Sequence, residues 1–248
     1  MNQIRMVSVV LMALIMFTNG RAVAAGEVVT VATGEWAPYV YEEGGGRGIC
    51  ADIVRASFAA EGIKAEFRFY PWKRALRSLK QAGVDGSFPW VKRDEREELF
   101  LYSDPIYEMK ASLFYLKKRF KDHSDLSGDV IKKYLVGVPL GYELGHDLKQ
   151  MGYRCEPVPC LSNGFEMLLK GRIDFLLESD DVGRYLIKES YSGHISDFGE
   201  IAAPLQPESL HLLLCKKSMN SRYLLNMFNE GLKKIKASGE FAKLIGKY

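Results

Sequence analysis

The sequence predicts an α/β chain folded as two lobes, and three observations carry that expectation. Residues 27–91 alternate strand and helix in the order β-α-β-α-β. A second run of the same kind follows over 135–188. The tail after residue 205 breaks the rhythm. Alternation of this sort builds a mostly parallel sheet with helical crossovers. Two such units in one chain of 248 residues predict two lobes, each a mostly parallel sheet flanked by helices.

In the first unit, Val28 to Ala32 is a β-branched apolar strand. Cys50 to Ala60 places Cys50, Ile53, Val54 and Phe58 on one helical face, and Gly62 stops it. Ala65 to Tyr70 alternates as a strand does. Trp72 to Ala82 carries Ala75, Leu76 and Leu79 on one face, and Val84 to Phe88 is the third strand. In the second unit, Leu135 to Pro139 is a strand and Glu143 to Met151 a helix. Arg154 to Val158 is a strand. Asn163 with Glu166 reads as a capping box for a helix bearing Phe165, Leu168 and Leu169. Ile173 to Leu177 is a strand, followed by a helix over Asp181 to Lys188. In the tail, Leu210 to Cys215 is an apolar strand. Arg222 to Ala237 is an amphipathic helix, and Phe241 to Ile245 is a last helical turn after Gly239.

The composition is that of a globular chain: 47% hydrophobic, 26% charged and 12% aromatic, which excludes a disordered or fibrous one. Arg5, the apolar run from Met6 to Phe17 and the small residues Ala22-Val23-Ala24-Ala25 form an export leader over 1–25, cleaved near Ala24 to Gly26. Two basic residues leave with it, which takes the net charge from +3 to +1 and argues against a nucleic-acid or polybasic membrane protein. Export places the chain in an oxidising compartment. There Cys155 and Cys160, flanking Glu156-Pro157-Val158-Pro159, are expected to form a local disulfide. Cys50 and Cys215 are either two buried thiols or a long-range bridge. The four histidines are scattered, so no metal site is expected.

The three tryptophans each follow a strand of the first unit: Trp36 the first, Trp72 the second, Trp90 the third. Ligands of open parallel sheets bind outside the carboxyl ends of the strands. Trp36, Trp72, Trp90 and Tyr39 are therefore expected to wall one cleft. Arg74 lies near Trp72 in the first turn of its helix. Arg96 lies in the run Lys92-Arg93-Asp94-Glu95-Arg96-Glu97-Glu98. Such a run is ordinarily a solvated face, and Arg93 is the reference for that reading. An Arg beside aromatic rings suits a carboxylate, because its planar fork donates two parallel charge-assisted hydrogen bonds.

Six segments, in order, resemble the family 3 extracellular solute-binding proteins of polar amino-acid ABC transporters. Arg93-Asp94-Glu95-Arg96 followed after five residues by Tyr102-Ser103-Asp104-Pro105-Ile106-Tyr107 is similar to that family's Thr-Pro-Glu-Arg and Phe-Ser-Asp-Pro-Tyr. Gly48 to Ile53 resembles Gly-Phe-Asp-Val-Asp-Leu, with Asp52 on its second Asp and Cys50 in place of the first. Gly83-Val84-Asp85, Asp125-Leu126-Ser127-Gly128, Val136-Gly137-Val138 and Gly171-Arg172-Ile173-Asp174 complete the set. The resemblance implies a type II periplasmic-binding fold, two lobes joined by two hinge strands near Lys110 to Tyr115 and Ala203 to Ser209. It divides the chain into a leader over 1–25, a first lobe over 26–110 and 206–248, and a second lobe over 111–205. It also implies that Arg96 holds a ligand carboxylate.

Three positions depart from the family pattern. Val91 stands where a hydroxyl residue lies five before that Arg. Tyr142 follows Gly141 where a small hydroxyl residue is usual. Ser179 occupies the place of the acid that holds an α-ammonium, flanked by Glu178 and Asp180. The expected ligand set is Glu35, Trp36, Tyr39, Trp72, Arg74, Trp90, Arg96, Tyr142, Glu178 and Asp180. The expected function is capture of a small polar, carboxylate-bearing solute, an amino acid or related compound, in the periplasm, for an inner-membrane ABC permease. The protein is expected to act as a monomer, without cofactor, metal, nucleic acid or catalysis. The same resemblance admits a cyclohexadienyl-dehydratase-like enzyme or a periplasmic sensor module as alternatives.

Overall fold

The computed structural model describes residues 26–120, 126, 128–140 and 144–248. The expected leader over 1–25 lies outside them. Two sheets form the molecule. The first contains β1 (Val28–Thr33), β2 (Lys64–Phe69), β3 (Gly86–Val91), β4 (Phe100–Tyr102), β5 (Tyr107–Met109) and β11 (Glu208–Cys215). Its order is β2-β1-β3-β11-β4, with β5 also on β11. The second contains β6 (Ala111–Leu116), β7 (Leu135–Pro139), β8 (Arg154–Val158), β9 (Phe175–Ser179) and β10 (Phe198–Ala202), in the order β10-β6-β9-β7-β8. The chain leaves the first sheet after β5 and enters the second at β6, and it returns between β10 and β11.

Each sheet is mixed. β1 is parallel to β2 and β3, and β7 is parallel to β8 and β9. The strands on either side of the two passages between sheets, β5, β6, β10 and β11, pair antiparallel with their neighbours. The expected crossovers thus account for the parallel part of each sheet, and strands arriving from the other sheet supply the rest.

Helices cover both faces of the first sheet. On one side α1 (Ile49–Ala59) packs against α7 (Ser221–Ala237), with the Phe58 and Phe228 rings 5.2 Å apart. Their backbones meet so closely at Gly231 that a Cβ there would lie 1.8 Å from the Ser57 carbonyl oxygen. On the other side α2 (Trp72–Lys80) buries Ala75 and Leu79 against Ala32, Phe100 and Leu213. The second sheet shows the period of two that a sheet covered on both faces requires. Leu113 and Tyr115 of β6 face Phe175 and Leu177 of β9 in one cluster, while Phe114, Leu116 and Leu176 join the other. There α5 (Leu161–Leu169) contributes Phe165 and Leu168, and α6 (Asp180–Ser190) contributes Ile187. Truncating a core phenylalanine such as Phe165 to Ala costs about 3–5 kcal/mol through lost burial and the cavity left behind. The remaining α-helices among the described residues are α3 (Asp94–Glu97), α4 (Leu144–Gln150) and α8 (Glu240–Ile245).

Two strands start later than expected, for one shared reason. Asp85 precedes β3 and its carboxylate accepts a hydrogen bond from the Thr30 N–H of β1, at 2.8 Å. Asp174 precedes β9 and accepts from the Leu135 N–H of β7, also at 2.8 Å. In each sheet an aspartate side chain ties two neighbouring strands together, so the strand proper begins after it. Trp90 consequently lies within β3 rather than beyond it. The expected capping box is absent: the N-cap residue of α5 is Cys160, Asn163 lies inside the helix, and Glu166 pairs with Lys170.

The expected Cys155–Cys160 disulfide does not form, and both thiols are free. Cys155 lies in β8, which stays extended to Val158 in register with β7. At about 3.3 Å of rise per residue, three strand residues already exceed the Cα separation of roughly 7 Å that a disulfide tolerates. The Pro-containing segment is extended through Val158 and bends only at Pro159 and Cys160. Cys160 instead lies 3.2 Å from the Ser162 hydroxyl. Cys50 and Cys215 are two buried free thiols in different clusters.

Candidate functional site

The end of β1 and the loop after it build the first part of the site. Trp36 and Val40 exchange two backbone hydrogen bonds, 2.8 and 3.0 Å, closing a tight loop. That loop presents the Trp36 ring edge-on to Tyr39, 4.8 Å away at 75°, and to Trp72, 6.2 Å away at 88°. Trp72 is the first residue of α2. Its indole covers Gly34, where a Cβ would lie 2.6 Å from the ring. Trp90 meets Trp72 at 5.1 Å and 82°, and its indole N–H donates to the Ser87 hydroxyl at 2.8 Å. The four rings form one continuous aromatic wall, each held by backbone or by a neighbour. Such edge-to-face pairs contribute about 0.5–1.5 kcal/mol each beyond area burial.

Arg96 stands at one end of this wall. Its guanidinium carbon lies 5.2 Å from the Trp90 ring centre, a cation–π arrangement, and one Nη donates to the Val91 carbonyl at 3.4 Å. Arg96 is half-buried and forms no ion pair among the described residues. Its other N–H donors are thus available for an anion. Arg93 is not the solvated-face residue expected: it pairs with Glu208 of β11 at 2.9 Å. Arg74 does not join the wall; it is exposed and stacks over Tyr70 at 4.7 Å. Glu35 is exposed and accepts the Glu42 N–H at 2.9 Å, bracing the loop.

At the other end of the wall lies the second lobe. Tyr39 is completely buried. Its hydroxyl contacts the Ser179 hydroxyl and lies 3.2 Å from Asp181 Oδ2. Tyr107 donates to the same Asp181 oxygen at 2.9 Å. Burial, and then the Asp181 charge, push both phenols well above their ordinary range, so both remain hydrogen-bond donors. Of the two expected carboxylates, Glu178 is fully buried in β9 and accepts the Ser179 N–H at 2.8 Å. Asp180 accepts the Asp181 N–H and lies 3.9 Å from Arg184. Burial, followed by the neighbouring Asp181 charge, raises its pKa. Tyr142 lies outside the described residues. Among the described residues no group of His, Cys, Asp or Glu could hold a metal ion, and no helix is long and apolar enough to cross a membrane.

Residues 28–248 fit the bacterial extracellular solute-binding proteins, family 3. The chain belongs to that family. It has the family's type II periplasmic-binding fold of two lobes. A probable histidine-binding protein of Neisseria gonorrhoeae is 26% identical over 235 residues, which span 90% of this chain and 83% of that relative. The second substrate-binding domain of Lactococcus lactis GlnP, in its open conformation, superposes with a TM-score of 0.70 at 25% identity, over 90% of this chain and 95% of that one. The VFT2 domain of Bordetella pertussis BvgS, as a double mutant, superposes with a TM-score of 0.72 at 18% identity, over 89% and 93%. At that identity the likeness concerns the fold alone. Family and named relative make this a solute-binding protein.

Asp181 was not among the residues expected from sequence. It carries no motif of its own, being the second of two aspartates that open α6. The sequence signal nearest to it is Ser179, which stands where the family resemblance leads one to expect an acid.

Proposed function

We propose that this protein binds a zwitterionic amino acid or closely related carboxylate-bearing solute in the periplasm and delivers it to an inner-membrane ABC permease. The observation that carries the reading is Arg96, half-buried on Trp90 at the end of a rigid aromatic wall, with guanidinium donors not used in an ion pair among the described residues. The ligand carboxylate sits on Arg96 and the body of the ligand lies on Trp36, Trp72 and Trp90. Residues 26–110 with 206–248 form one lobe and residues 111–205 the other. The leader over 1–25 directs export and is removed. The monomer is the working unit. The probable histidine-binding relative puts histidine first among the solutes to try. Isothermal calorimetry against the twenty amino acids tests this. Saturable binding of at least one of them, lost in Arg96→Ala, is expected. Binding that survives Arg96→Ala unchanged overturns the carboxylate assignment.

A further inference from the structure

Four polar side chains meet where the two sheets adjoin. Tyr107 belongs to β5, paired with β11, and Tyr39 to the loop after β1, so both are carried by the first sheet. Ser179 ends β9 and Asp181 lies in the first turn of α6, so both are carried by the second. Asp181 Oδ2 accepts from the Tyr107 hydroxyl at 2.9 Å and from the Tyr39 hydroxyl at 3.2 Å. The Tyr39 oxygen then accepts from the Ser179 hydroxyl, which makes one consistent donor–acceptor chain. Tyr39 and Ser179 are buried. Val182, the next residue of α6, is buried within the first sheet's own core cluster. Hydrogen bonds to a charged acceptor in such surroundings are roughly twice as strong as neutral ones.

We propose that Tyr39, Tyr107 and Asp181 form an interlobe lock that holds the second lobe against the first before any solute binds. Tyr39 is its positioning residue. Its ring packs edge-on with Trp36 at 4.8 Å and tilted against Tyr107 at 5.7 Å. The same side chain therefore touches the aromatic wall on one side and the second lobe's carboxylate on the other. These contacts tie the aromatic wall to the start of α6. Because the lock acts in ligand-free protein, it stands whether or not the solute is an amino acid.

The test uses ligand-free protein, stripped of solute in denaturant and refolded. Spin labels are placed at Met219→Cys and Ile195→Cys, two exposed positions carried by the first and second lobe. The accessible native thiols are removed as Cys155→Ser and Cys160→Ser. Pulsed electron–electron resonance should give one narrow interlobe distance in the otherwise native protein. Tyr107→Phe, Tyr39→Phe and Asp181→Asn should each add a second, longer distance. Removing one hydrogen bond to a charged group should shift the ratio of the two populations by about ten- to a hundredfold. Variants that melt at lower temperature with an unchanged distance distribution overturn the proposal, as does native protein already divided between both distances. Should Asp181→Asn fail to fold, the two Tyr→Phe variants, which remove a single oxygen each, decide it.

Discussion

The Trp72 indole fills the space where a side chain on Gly34 would begin, with a Cβ there only 2.6 Å from the ring. The end of β1 and the start of α2 are thereby joined through a single missing methyl group. The contact holds the middle ring of the wall in place between Trp36 and Trp90. Gly34→Ala should push the indole away at a cost of about 1–3 kcal/mol, the usual range for overpacking. Thermal unfolding and tryptophan emission report it together. An alanine variant with native stability and an unshifted spectrum would show that the indole does not rest on this backbone.

Arg96→Ala should weaken solute binding by about ten- to a hundredfold, because a charge-assisted hydrogen bond contributes about 1.5–3 kcal/mol. Arg77→Ala, exposed on α2, is the control and should bind as the native protein does. Arg93→Ala should act differently from both. It removes the Arg93–Glu208 pair between the start of α3 and β11, so it should lower the melting temperature more than the affinity. Calorimetry and thermal melts on the three variants separate these outcomes.

His211 gives the fold a pH dependence of known sign. Its ring is buried, with Nδ1 2.7 Å from the Ser103 carbonyl, and packs edge-on with Tyr102 at 5.6 Å. Burial lowers its pKa below the ordinary 6.5 despite that hydrogen bond. The unfolded chain then binds the proton first. The contribution is complete above about pH 6.5 and is lost as the pH falls from there through the folded-state pKa. The melting temperature should drop between pH 7 and 5, and His211→Gln should drop less over the same interval. Equal slopes for the two proteins would remove His211 from the account.

The cysteines make a simple chemical test. Cys160 is exposed, and hydrogen bonds from the Ser162 hydroxyl and from backbone N–H groups at the start of α5 lower its pKa. It should alkylate first. Cys155 is half-buried, which raises its pKa, and should react more slowly. Cys50 and Cys215 should react only after unfolding. Mass spectrometry of the natively alkylated protein should find two modified cysteines and no peptide linking Cys155 to Cys160.

Local patterns set the repeating units of this protein. Apolar alternation and glycine stops placed β7 and β8 to the residue, and β1, α1, α2 and α7 to within two residues, because period and capping act over a few neighbours. The same reasoning singled out the three tryptophans, whereas Arg96 was marked by the family resemblance. Tertiary structure decided what short-range pattern does not encode. The starts of β3 and β9 depend on aspartates bonded 55 and 39 residues away. Short β4, β5 and β10 exist through pairing with strands distant in the chain. Cys155 and Cys160 look adjacent in sequence, yet pairing with β7 stretches β8 and draws them apart. Asp181 entered the site only because α6 brings it to two tyrosines 74 and 142 residues away. A residue's chemistry is written in the sequence, but its partners are set by which surfaces pack, and packing is a property of the whole chain.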